Sequence, residues 1–107
     1  MDEELQITTE GGLGCIALDR PKAINALSLG MIEGVSAALE RWRADPAIGA
    51  VLFEGRGGKG FCAGGDVRAA RRLVLAGTPE LADAYFATEY RMNALIARYE
   101  KPLVALT

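Results

Sequence analysis

The chain opens on alternation. "LQITTEGGLGCIALD" (residues 5–19) predicts two short strands around a Gly11-Gly12 turn, with Ile16 and Leu18 alternating against smaller residues. "RPKAIN" then breaks the regularity at Pro21, and Ser28 is placed to cap a helix running to about Arg43. Within that helix Ile32, Val35, Leu39 and Trp42 recur at three- and four-residue spacing. "ADP" ends it, because a proline disfavours helix in the residue before it. "AIGAVLFE" (47–54) is apolar almost throughout, as in a parallel strand covered on both faces. "DVRAARRLVLAG" reads as a short helix stopped by Gly77. Thr78 and Pro79 open a longer helix to about Tyr99, with a stripe of Leu81, Tyr85, Thr88, Met92, Leu95 and Tyr99. "KPLVALT" predicts a further buried strand.

Strands alternating with helices define an α/β fold. A last strand that is apolar on both faces needs a layer on each side, and no further residues follow to supply one. Residues 1–107 are therefore expected to be the first part of a single larger domain, without internal repeat or linker.

Composition narrows the function classes. Twelve basic residues against fourteen acidic ones, a net charge of −2, argue against a general nucleic-acid binder or membrane-surface protein. No run approaches a membrane span, and "MDEELQ" is not a secretory leader. Histidine is absent, which excludes Ser-His-Asp and Cys-His catalysis within these residues. Cys15 and Cys62 lie far apart, so no zinc site or disulfide framework is indicated and both are expected to be small packed residues.

The densest chemistry is "EGRGGKGFCAGGD", residues 54–66. Gly55 to Gly60 spells G-x-G-x-x-G, but a dinucleotide loop turns directly into a helix, whereas Gly60 leads into "FCAGG". No Lys-Ser or Lys-Thr follows Gly60, so the P-loop pattern fails as well. Gly64-Gly65-Asp66 stands just before the short helix, where backbone N–H groups are unpaired. Such a turn can polarise a carbonyl oxygen as an oxyanion hole, and it can equally be an ordinary glycine-rich connection. Asp66 suits the first turn of the helix that follows.

"FCAGGDVRA", preceded by "AVLFEGRGGKG" and "LDRPKAINAL", resembles the enoyl-CoA hydratase/isomerase (crotonase) superfamily. "ATEYRMNALIARYEKPLVAL" is similar to one branch, the 3-hydroxyisobutyryl-CoA hydrolases, in which an E-Y-x-x-N helix precedes a K-P-x-V-A-L strand. The resemblance covers nearly all of the chain after about residue 13 and implies the N-terminal part of a crotonase-like ββα spiral. It implies that Gly65 N–H is one oxyanion donor, with Gly64 and Asp66 beside the substrate. It also assigns the adenine end of coenzyme A to Lys22, Ala23 and the backbone near Ala63, with Arg20 and Lys22 as cations for its phosphates. Glu89, the acid of E-Y-x-x-N, is expected to face the acyl group and hydrogen-bond its hydroxyl.

The second oxyanion donor and the catalytic carboxylates of that family lie beyond the K-P-x-V-A strand, hence beyond Thr107, so these residues alone are expected to be inactive. The activity implied is hydrolysis of 3-hydroxyisobutyryl-CoA in valine breakdown. Enoyl-CoA hydration or isomerisation on the same fold, and a non-catalytic acyl-CoA-binding or assembly role, stay open beside it. No metal and no cofactor are expected, coenzyme A being part of the substrate. The expected partners are an acyl-CoA and further copies of the chain, with no nucleic acid and no membrane. The expected compartment is the cytoplasm, or the mitochondrial matrix in a eukaryote.

Overall fold

The computed structural model describes residues 4–20, 27–56, 75–77 and 79–106. Its elements run β1 (Leu5–Glu10), β2 (Leu13–Leu18), α1 (Leu29–Arg43), β3 (Ala50–Gly55), α2 (Pro79–Ala97) and β4 (Leu103–Leu106). The four strands form one sheet in chain order, β1-β2-β3-β4. β1 and β2 are antiparallel, joined by Gly11 (φ 53°) and Gly12 (φ 85°) in the left-handed backbone that a two-residue hairpin turn requires. β2 with β3 and β3 with β4 are parallel.

Ser28 caps α1 as its sequence position suggests: its backbone is extended and its hydroxyl accepts from Met31 N–H at 3.3 Å. Ile32, Val35, Leu39 and Trp42 are all buried, joined by Met31 and Ala38. Together with Ile16, Leu18 and Val51 of the sheet they make the core. Contact is close: a Cβ at Gly14 would lie 2.5 Å from the Trp42 ring, so only glycine lets β2 pass beneath that indole.

Two expectations need correcting. β3 begins at Ala50 rather than 47, because Asp45 folds the preceding residues into a turn: its carboxylate accepts from Ala47 N–H at 2.9 Å and its carbonyl from Ile48 N–H at 3.1 Å. Of β3 only Val51 is fully buried. Leu52 pairs with Cys15 and Val104 on the sheet face opposite the Val51 side, and all three stay accessible. In α2 the stripe holds except at its first member: Leu81 is 51% exposed and Ala82 is buried instead, while Tyr85 and Met92 are buried and Leu95 and Tyr99 pack against the core. Glu89 and Ile96 are half-buried on the same side of the helix. The helix ends at Ala97, two residues before Tyr99.

The end of α1 is held by Lys101. Its ammonium donates to the carbonyls of Trp42 (2.5 Å), Asp45 (2.7 Å) and Ile48 (2.6 Å). Helix C-termini leave such carbonyls without intrahelical partners, and a cation there also meets the negative end of the helix dipole. Tyr99 fastens the same helix from the side, donating its hydroxyl to Leu39 O at 2.7 Å. Burial pushes the Tyr99 phenol above its ordinary value, with Glu40 adding to the rise and Arg43 opposing it.

Two outcomes follow from these contacts. Lys101→Met removes the donor but keeps the stem, and should lower stability by about 1–3 kcal/mol in denaturant unfolding, since carbonyls lose a charged partner. Tyr99 releases its proton later when folded than when unfolded, so the folded state holds more protons above the ordinary tyrosine range and stability declines as pH rises through it. The denaturant midpoint should fall less between about pH 8 and about pH 11 in Tyr99→Phe than in the parent.

Candidate active site

The parallel strands β2, β3 and β4 point their carboxyl ends the same way, and in open α/β sheets that end is where ligands bind. A cleft of about 300 Å³ lies between the sheet and the helices, with Leu18 at the carboxyl end of β2 and Phe53 towards that of β3 in its wall. Leu18, Phe53 and Leu103 line it from the strands, and Met92, Asn93 and Ile96 from the helix. Each wall has a local cause. Leu18 closes the alternation of β2, and Phe53 lies on the Val51 face of β3. Met92 and Ile96 belong to the inward face of α2, one turn apart. Leu27 adds a further wall, and Tyr85 pins it by donating its buried hydroxyl to Leu27 O at 2.5 Å.

Of the residues singled out from sequence, Glu89 lies on the face of α2 that carries Met92, is half-buried, and sits one turn before Asn93. It forms no hydrogen bond or ion pair among the described residues. Arg20 is near the start of the N-terminal loop and its Nε is 3.0 Å from Glu4 Oε2. The other oxygen of Glu4 accepts from the Ser28 hydroxyl at 3.2 Å, so one carboxylate ties Arg20 to the cap of α1. Cys15 is half-buried on the sheet face opposite the core. Lys22, Ala23, Cys62, Ala63, Gly64, Gly65 and Asp66 lie outside the described residues, as does most of the short helix expected before Gly77.

Asn93 is the residue that reading the sequence left unassigned. It closes the E-Y-x-x-N motif, and its signal was the spacing itself, since residues i and i+4 share a helix face. Among the described residues it is the one polar side chain in the wall of an otherwise apolar cleft. Tyr90, the motif's other polar member, is 75% exposed. No cluster of three or more potential metal ligands occurs among the described residues. No helix among them is long and apolar enough to cross a membrane.

A mixed sheet, helices on its core face and a cleft between them are features of the crotonase-like α/β fold, and solved structures match it closely. An enoyl-CoA hydratase from Rhodobacter sphaeroides superposes with a TM-score of 0.90 at 36% identity, over 96% of this chain and 31% of that one. A carnitinyl-CoA dehydratase from Mycobacterium thermoresistibile gives 0.87 at 42% identity, over 97% and 30%. The family model described as enoyl-CoA hydratase/isomerase matches residues 13–107, and the chain belongs to that family. Among curated relatives, the mitochondrial 3-hydroxyisobutyryl-CoA hydrolase of Xenopus tropicalis is 48% identical over 98% of this chain and 27% of its own length. The human protein of that name is 39% identical over 97% of this chain and 27% of its own. The chain thus spans about a quarter of the length of these relatives.

The Tyr85 anchor is testable by itself. Tyr85→Phe keeps the ring but leaves the Leu27 carbonyl without this donor, which should cost about 1–3 kcal/mol of stability in denaturant unfolding. Unchanged unfolding would mean that the contact does not hold the cleft wall.

Proposed function

We propose that these residues form the thioester-binding part of a CoA-thioester hydrolase acting on 3-hydroxyisobutyryl-CoA in valine breakdown. What carries the reading is the half-buried Glu89, one helical turn before the cleft-lining Asn93, in a chain 48% identical to a 3-hydroxyisobutyryl-CoA hydrolase. On this reading the acyl group enters the cleft and its hydroxyl meets Glu89. Gly65 N–H, with Gly64 and Asp66 beside it, stabilises the oxyanion or enolate formed at the thioester carbonyl. Arg20, Lys22, Ala23 and Ala63 receive coenzyme A. The carboxylates that direct attack and proton transfer come from outside these residues.

Magnitudes show why both parts are needed. One oxyanion donor typically supplies about 10²–10³ in rate. Positioned acid–base groups supply roughly 10²–10⁴. An oxyanion turn with a cleft therefore binds and polarises a thioester, but turnover requires the rest of the machinery.

Hydration of an enoyl-CoA is the second reading, favoured by the 36% and 42% identities to a hydratase and a dehydratase of known structure. Thiol release from 3-hydroxyisobutyryl-CoA by the whole protein, set against loss of enone absorbance from crotonyl-CoA, separates the two. Thiol release is the expected outcome. Acyl-CoA binding with neither reaction would favour the non-catalytic role instead.

Glu89→Gln should raise KM and lower kcat/KM for the hydroxylated substrate by about tenfold or more, since hydrogen bonds to a charged group are worth about 1.5–3 kcal/mol. Steady-state kinetics unchanged by that substitution would remove Glu89 from the acyl site.

A further inference from the structure

Among the described residues, the cleft beside α2 is walled by hydrocarbon except at Asn93. A carbon skeleton gains by leaving water there, whereas a hydroxyl gives up its water hydrogen bonds and must find replacements. A hydroxyl has one proton to donate and two lone pairs to accept with. Glu89 supplies only half of that requirement, because a carboxylate accepts and cannot donate. Asn93 follows Glu89 by four residues, about 40° further round α2 and one turn along it. Its amide carries two N–H groups, the complement that the carboxylate lacks.

We infer that Asn93 is a specificity-determining residue. Its amide donates to the same acyl hydroxyl that donates to Glu89, so that the pair reads a 3-hydroxyacyl thioester and disfavours the chain that lacks the hydroxyl. The inference rests on the hydrolase reading above. The preference arises from what the wrong substrate leaves behind: a deoxy acyl chain fills the apolar cleft equally well but, on binding, covers the amide and the carboxylate without offering either a partner. Asn93 is exposed in the described structure, so replacing it leaves the core packing of Met92 and Tyr85 intact.

The test is the ratio of kcat/KM for 3-hydroxyisobutyryl-CoA to that for isobutyryl-CoA, measured by thiol release with the whole protein. Asn93→Leu removes the donor and extends the apolar wall, whereas Asn93→Asp keeps the shape, removes the donor and places a second carboxylate one turn from Glu89. Both should lower the ratio by roughly three- to tenfold, the worth of one neutral hydrogen bond, with the thermal midpoint unchanged. A ratio unchanged in both variants overturns the inference while leaving the hydrolase reading in place. A fall in Asn93→Leu without one in Asn93→Asp also overturns it, since shape rather than donation would then set the preference. Thiol release from neither substrate by the parent protein overturns the hydrolase reading, and the inference with it.

Discussion

One ammonium group holds the layers in register. Lys101 gathers three carbonyls from the end of α1 and the turn after it, and it does so from the residue pair that leads into β4. Pro102 beside it accepts from Val51 N–H at 2.9 Å, so the same two residues fix both the helix end and the start of the β3–β4 pairing. The arrangement satisfies the carbonyls that a helix terminus leaves open and sets a positive charge where the helix dipole favours one. Because Trp42 lies at that helix end and covers Gly14 of β2, fixing α1 lengthwise also fixes how the helix sits on the sheet.

The cleft follows from this geometry. Its floor is made by strands whose pairing Pro102 helps to set, and its side is a helix anchored by Tyr85 at one end and followed by Tyr99 at the other. Both tyrosines use the same device, a phenol reaching a backbone carbonyl of the N-terminal half: Leu27 O for one and Leu39 O for the other. Hydrocarbon packing brings α2 to α1. The phenols then determine where along it the helix rests, and therefore where Glu89 and Asn93 stand relative to the strand ends.

Legibility of the sequence tracked the range of the interactions. The cap at Ser28, the α1 stripe and the Gly11-Gly12 hairpin are local and could be read directly. The start of β3 could not, because an Asp45 turn competed with an apolar run for Ala47 and Ile48, and the turn's hydrogen bonds won. The α2 stripe could be read except at its first member, because Leu81 is apolar yet exposed, while the small Ala82 faces inward. Nothing local marks Lys101 as a structural cation, since its partners lie 53 to 59 residues away. The motif around Glu89 was visible as a string. Only the cleft beside it gave Asn93 a meaning.

Strand order that follows chain order has a consequence for synthesis on the ribosome. Each of the four strands pairs with the one made just before it, so a growing chain never has to reserve a slot between two strands already in place. The β1–β2 hairpin and α1 are synthesised before β3, so each later strand meets a sheet edge whose partner already exists. Lys101 appears near the end of these residues, so its three hydrogen bonds to the end of α1 become available only when every element but β4 has been made.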